Sequence, residues 1–268
     1  VNKLADAGAA LLGGAVLNAA RLHGGDLSHL VHVELQDGRH VVVKTGPAPR
    51  TEAAMLRVIA AAGVPAPAVL SVSDEVLVLE FVPVDGRVGN AWSDLGVTLA
   101  RLHRVTEPRY GFARDYAFQH LPIENGWMDS WPAFYAERRL HVHLSHIHPA
   151  LAKRVALLAR DIDNRLPRNP PGALLHGDLW GGNVLVNGDR IAGFIDPACV
   201  FGHAEVDVAM LGLFDSIGPD FHAAYGPQEP GAEARLPIYR LWPALVHLRL
   251  FGNSYRRLVE GFLSAAGV

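Results

Sequence analysis

The stretch Leu174–Leu211, LLHGDLWGGNVLVNGDRIAGFIDPACVFGHAEVDVAML, decides how this chain is read. It places Asp178, Asn183 and Asp196 at the ends of short apolar runs with the character of strands. That order suits phosphoryl transfer, a reaction that needs positioning and charge neutralisation more than covalent chemistry. Asp178 would orient an attacking hydroxyl and accept its proton. Asn183 would present an amide oxygen to Mg²⁺, and Asp196 the hard anionic oxygen that Mg²⁺ prefers, bridging to nucleotide phosphates. The triplet H-G-D alone is ordinary turn chemistry. The whole set, H-G-D-x4-N followed by an apolar run ending I-D-P, is far more specific.

Phosphoryl transfer from ATP makes demands on the N-terminal half, and residues there meet them. HVVVK (40–44) ends an alternating strand on Lys44, whose ammonium would hold the α- and β-phosphates. Glu52 opens the next helix and would orient Lys44 by an ion pair. Taken singly, a strand-end Lys is a solvated edge charge and a first-turn Glu a helix-dipole partner. Their place ahead of the Asp–Asn–Asp set makes them site residues. HGGDLSHL (23–30) would fold over the phosphates, with backbone N–H groups and Ser28 as donors, though a plain β-turn fits it equally. VLVLEFV (76–82) would pass the adenine, with Glu80 and Val82 making backbone contacts.

Periodicity places these motifs. LVHVELQDGRHVVVKT (30–45) is two alternating strands around the Asp37-Gly38 turn, and RTEAAMLRVIAAAG (50–63) is a helix stopped by Gly63. Beyond Pro83 the pattern turns helical. SDLGVTLARLHRV (93–105) takes Ser93 or Asp94 as its cap. DSWPAFYAERRL (129–140) takes Asp129 or Ser130, with Pro132 in the first turn. Residues 235–265 supply the last helices. The expected architecture is α+β in two lobes: a small β-rich N-terminal lobe over 1–83, with a hinge near Glu80–Asp85, and a larger, mainly helical lobe over 84–268 holding the catalytic loop, metal ligands and substrate site.

Composition narrows the partners. A net charge of -3 with scattered basic residues leaves no footprint for nucleic acid. No apolar run approaches bilayer length, and the opening residues carry no compact signal core, so no membrane role is expected. Cys199 is the single cysteine, which rules out an intrachain disulfide and fits a cytoplasmic setting. His141, His143, His146 and His148 invite a zinc reading, but on a helix they share no face and no carboxylate completes the set, so solvated histidines are expected. Arg138 and Arg139 read as ion-pair partners. Trp127, Trp131, Phe134 and Tyr135 read as core, with Trp127 the best placed to reach the cleft. His203 and Glu205 face the substrate or form a structural pair.

Four blocks together carry a family resemblance. HGDLWGGN is similar to H-G-D-L-W-S-G-N, and IDPACVFGHAEVDVAML to a D-P-A…G-H-x-E-x-D-L-A-M block. LPIENGWMDSWPAFYAERRL and YRLWPALVHLRLFGNSY resemble the Q-x-N-x-W…D-W-x-x-F-x-x-x-R-L and Y-x-L…H-x-x-x-F-G-x-x-Y segments of the same group. The chain thus resembles the fructosamine kinase (ketosamine-3-kinase) family, a branch of the aminoglycoside-phosphotransferase-like enzymes, over nearly its whole length. The resemblance implies a protein-kinase-like fold and ATP- and Mg²⁺-dependent phosphorylation of a ketoamine, a sugar-derived adduct on an amine, at the sugar 3-hydroxyl. It carries Lys44, Glu52, Asp178, Asn183 and Asp196 into the roles above and suggests that Trp180 borders the sugar, although the ring fits equally beneath the loop. It also makes Asp207 a brace for the catalytic loop. His176 would hydrogen-bond behind Asp178. The chain departs at Gly181, where the family usually has Ser, and at Asp26, where many members carry Cys. Competing readings are a kinase for an aminoglycoside, amino alcohol or sugar, and a nucleotide-binding pseudokinase; the intact Lys–Asp–Asn–Asp set disfavours the last.

Overall fold

The computed structural model describes residues 1–22 and 29–268. The expected phosphate loop, with Ser28 and Asp26, lies mostly outside those residues. The chain opens with a helix that its sequence pattern does not announce, α1 (Asn2–Leu11), followed by β1 (Val16–Arg21), β2 (Leu30–Leu35), β3 (His40–Thr45), α2 (Pro49–Ala61), β4 (Val69–Val72) and β5 (Val76–Glu80). The strands form one antiparallel sheet in the order β1-β2-β3-β5-β4. Alternation decides what each face meets. Val31, Val33, Leu35, Val41 and Val43 pack on Ala5 and Ala9 of α1. Leu77, Leu79 and half-buried Val42 face Ala53 and Leu56 of α2. Lys44 has the parity of Val42, so its side chain emerges on the α2 side. Helix α1 buries its small residues Ala5, Gly8 and Ala9 because it lies close on the sheet: a Cβ at Gly8 would meet Val43 Cγ2 at 2.4 Å.

Past an irregular segment, whose Asp85 and Gly86 N–H groups donate to the Val186 carbonyl (3.3 and 3.1 Å), the chain becomes largely helical. It runs through α3 (Trp92–His103), β6 (Thr106–Glu107), β7 (Tyr116–Phe118), β8 (Leu121–Ile123), α4 (Trp131–Tyr135), α5 (Pro149–Arg160) and β9 (Gly172–Leu175). Then follow β10 (Val184–Asn187), β11 (Arg190–Phe194), β12 (Val200–Gly202), α6 (Glu205–Phe214), α7 (Pro219–Tyr225), α8 (Ala232–Phe251) and α9 (Arg256–Ala265). Short sheets β12-β9-β6, β10-β11 and β7-β8 are set among the helices. Among the described residues no helix is long and apolar enough to cross a membrane.

Local readings meet tertiary packing with mixed results. Ser130 caps α4 by accepting from the Ala133 N–H (3.4 Å), with Pro132 in the first turn. Helix α3 starts instead at Trp92 with no side-chain cap. Asp94 accepts the Ile191 N–H (2.7 Å) and pairs with Arg190 (2.9 Å), so tertiary partners claim the carboxylate. Arg138 pairs with Glu124 as expected. Arg139 does not pair with a carboxylate: it is buried between the Phe134 and Trp242 rings, and it donates to the Glu124 carbonyl (2.8 Å) and Asn125 Oδ1 (2.7 Å). His143 is buried rather than solvated, and burial pushes its pKa down to about 3.

Helix α3 comes close to α7 at Gly96, where a Cβ would stand 2.6 Å from the Phe221 carbonyl oxygen and 2.9 Å from the Tyr225 nitrogen. Backbone cannot step aside as a side chain can. Gly96→Ala should therefore lower stability by about 1–3 kcal/mol, the usual cost of overpacking, read as a shift in the urea midpoint with an unchanged slope.

Candidate active site

Lys44 leaves β3 toward the first turn of α2, and its Nζ lies 2.8 Å from Glu52 Oε1 and 2.6 Å from Asp196 Oδ1. Lys44 and Glu52 are buried, and Asp196 arrives from the end of β11. Burial alone would lower the Lys44 pKa, but the charges of Glu52 and Asp196 outweigh it and hold the ammonium protonated. Tyr116 donates its hydroxyl to Glu52 Oε2 (3.4 Å). Asp196 itself has φ +54°, a left-handed conformation that Asp tolerates better than most residues.

Opposite lies the turn that follows β9. Asp207, fully buried on α6, accepts the His176 N–H through Oδ2 (2.7 Å) and the Gly177 N–H through Oδ1 (2.9 Å). His103 Nε2 also reaches Asp207 Oδ2 (3.1 Å), and its Nδ1 contacts the Tyr225 hydroxyl (2.8 Å). His176 donates from Nε2 to the Ile195 carbonyl (3.0 Å), so Nδ1 is the acceptor for the Asp178 N–H (3.3 Å). Only glycine fits at 177: φ is +82° and a Cβ would stand 2.0 Å from the Ala198 carbonyl oxygen. Asn183 Nδ2 donates to the Asp178 carbonyl (2.8 Å) and to its Oδ2 (3.2 Å), which leaves the amide oxygen as the atom for other company. Burial, then the charge of Asp196, pushes the Asp178 carboxyl up to about 7.

These groups share one cavity of about 300 Å³, lined by Lys44, Glu52, Asp178, Asn183 and Asp196. Its far wall is aromatic and apolar: Phe214 of α6, His247, Leu250 and Phe251 of α8, and Tyr255 just beyond. Trp180 lies in the lining, 38 % exposed, edge-on to Phe214 (6.4 Å, 70°) and folded over Gly182. Gly181 takes the place of the expected Ser because Asp215 stands there: its Oδ2 accepts the Gly181 N–H (2.7 Å), and a Cβ would lie 2.6 Å from Oδ1.

Other expected residues lie elsewhere. Glu80 and Val82 are outside this lining; Glu80 is exposed at the end of β5, where its carboxylate accepts the Ala68 N–H (3.1 Å). His203 and Glu205 line a second pocket. The reason is strand direction: β12 pairs antiparallel with β9, Val200 opposite Leu175 and Gly202 opposite Ala173. Each residue past Val200 therefore steps away from Asp178. Trp127 stacks on Phe201 (5.9 Å) under the Arg109 guanidinium (5.4 Å), also away from the cavity lining. Conversely, neither Tyr116 nor Phe214 carries a local signal of a site, and His247, Phe251 and Tyr255 stand out in sequence only as the H-x-x-x-F-G-x-x-Y segment; helix packing is what assembles them into a wall.

Comparison with known proteins shows what this chain is similar to. A probable ketoamine kinase of Enterococcus faecium is 36% identical over 180 residues, 63% of this chain and 65% of that protein. The matched stretch thus spans slightly less than two thirds of that relative. The crystal structure of a candidate fructosamine-3-kinase from Thermobifida fusca superposes with a TM-score of 0.90 at 33% identity, covering 99% of both chains. An aminoglycoside phosphotransferase in ternary complex with AMP-PNP and hygromycin B shares the fold, with a TM-score of 0.62 at 17% identity over 94% of this chain and 90% of that one. The sequence pattern of the fructosamine kinase family matches residues 8–266, essentially the whole chain. The chain belongs to the fructosamine kinase family.

Proposed function

We propose that this protein transfers the γ-phosphoryl group of ATP to the 3-hydroxyl of a ketoamine. The observation that carries the reading is the convergence of Lys44, Glu52, Asp178, Asn183 and Asp196 on one cavity whose other wall is aromatic and uncharged. Lys44, held by Glu52, would meet the α- and β-phosphates of ATP. The donor set fits Mg²⁺: a carboxylate on Asp196 and an amide oxygen on Asn183, both hard oxygens, beside a cavity open to water. Bound there, Mg²⁺ would neutralise charge on the transferring phosphate. Asp178 holds the acceptor hydroxyl, takes its proton as that oxygen bonds to the γ-phosphorus, and the bond from phosphorus to the ADP oxygen breaks. The clamp of Asn183 on Asp178 holds the carboxylate in place for that step.

The substrate side follows from the wall. Among the described residues the carboxylates in the lining are Glu52, Asp178 and Asp196, all engaged in this machinery, so none of these is left over for the ammonium groups of an aminoglycoside. Trp180 offers an indole face to a sugar's C–H surface. An ATP-consumption screen over ribulosyl- and fructosyl-lysine, aminoglycosides and amino alcohols tests this reading. Turnover of ketoamines, with the phosphate on the 3-hydroxyl by NMR, is expected. Turnover of aminoglycosides alone would move the protein to that class.

Three variants separate the roles. Asp178→Asn should cut kcat by roughly 10²–10⁴-fold and leave nucleotide affinity nearly unchanged, whereas Asp196→Ala should weaken Mg·ATP itself. Wild-type turnover in Asp178→Asn would remove that residue from its role. Trp180→Ala should raise KM for small ketoamines by about tenfold, equivalent to roughly 1.4 kcal/mol of lost contact, and leave KM for ATP unmoved. A change in the ATP constant alone would place the ring in nucleotide binding instead.

A further inference from the structure

The second pocket, about 160 Å³, lies between the start of α6 and the connection from α7 to α8. At its base His203 is 1 % exposed, and among the described residues its Nε2 has no partner at good hydrogen-bond distance. Glu229 Oε2 stands 3.5 Å from that nitrogen, at the limit of a useful contact. Buried polar atoms seldom go without a partner, so an orphan nitrogen aimed into a pocket asks what fills it. Glu205 lies alongside, and one donor atom from each of His203, Glu205 and Glu229 falls within 4.8 Å of the other two.

We propose that His203, Glu205 and Glu229 bind a zinc ion. One imidazole nitrogen and two carboxylate oxygens, with water completing four-coordination, is a ligand set that suits Zn²⁺, whereas Mg²⁺ and Ca²⁺ prefer oxygen throughout. Bonds of about 2.0 Å place tetrahedral ligand atoms about 3.3 Å apart. Glu229 Oε2 already stands near that distance from Nε2, and Glu205 Oε2 is 3.8 Å from Nδ1 of the same ring, so the ion would draw the imidazole and Glu205 closer together. The supporting contacts are those a metal site needs. His203 Nδ1 lies 2.7 Å from the Tyr239 hydroxyl, and with its proton directed there Nε2 keeps a lone pair for the ion. Tyr239 is itself anchored by the Trp131 indole N–H (3.0 Å). Arg235 grips both oxygens of Glu205 (2.5 and 2.8 Å), fixing the carboxylate and offsetting part of the charge that two acids would concentrate. The histidine-rich run 141–148 offers no such set; His203 stands far from it in sequence, and only folding brings its two acidic partners near.

The ion would tie the 226–231 connection to the start of α6. Tyr225, immediately before that connection, reaches His103, and His103 reaches the Asp207 carboxylate that holds the His176 and Gly177 amides. Zinc would thus brace the far side of the catalytic loop without entering the catalytic cavity. The site stands whether or not the kinase reading does.

The test uses chelator-stripped protein titrated with Zn²⁺ against a chromogenic competitor, together with thermal unfolding. Wild type should bind one equivalent and gain thermal stability with zinc. Glu229→Gln alters an exposed side chain, so it should fold normally, bind zinc at least about tenfold more weakly and lose that gain; Tyr239→Phe should weaken zinc by about 10–100-fold. His203→Asn should abolish binding. Absence of zinc binding in wild type, zinc bound equally well by Glu229→Gln and His203→Asn, or a site filled by Mg²⁺ in preference to zinc would overturn the assignment.

Discussion

The Lys44 ammonium is shared by two carboxylates that come from distant parts of the chain, Glu52 on α2 and Asp196 at the end of β11. A buried cation cannot stand alone, and withdrawing one partner of such a group costs roughly 3–5 kcal/mol. The contact therefore registers the antiparallel sheet against the helical region that follows it. It also explains the neighbours. Tyr116 bonds to the second oxygen of Glu52, and the left-handed turn at Asp196 aims its carboxylate back at the sheet. A well-packed apolar replacement is often no less stable than a buried ion pair, so stability alone does not account for these charges. Their retention makes sense where an anionic ligand is to be met.

A second clamp acts on backbone. Asp207 spends both oxygens on consecutive amides, His176 and Gly177, and this sets the direction of the turn that carries Asp178. His103 and Tyr225 extend that clamp through α3 and α7, two helices brought into contact by the missing side chain at Gly96. The turn that carries Asp178 thus sits on backbone held from behind by buried polar groups. Each of those groups is satisfied by another, the condition under which a buried network rigidifies rather than weakens a fold.

Facing this rigid side, the wall of Phe214, His247, Phe251 and Tyr255 is built on α6, on α8 and just past its end, with aromatic rings in mutual contact (His247–Tyr255 5.0 Å, Phe251–Tyr255 5.9 Å). The fold is shared with an aminoglycoside phosphotransferase, so the fold by itself does not name an acceptor for this chain.

What the sequence by itself determined is local in origin. Alternation in 40–45 put Lys44 on one face of a strand, and spacing marked Asp178, Asn183 and Asp196 as a set, which the fold brings to one cavity. Asp129 or Ser130, with Pro132, marked the start of α4 because capping depends on residues within a turn, and the structure uses Ser130. Tertiary structure decided the rest. Whether Asp94 caps its own helix or binds β11, and whether Arg139 meets a carboxylate or two rings, depends on partners far along the chain. His203 and Glu205 stand in the same stretch as Asp178 yet belong to another pocket, because antiparallel pairing of β12 with β9 turns proximity in sequence into separation in space. Period and spacing are written in consecutive residues, whereas strand direction and helix packing are settled only when the whole core closes.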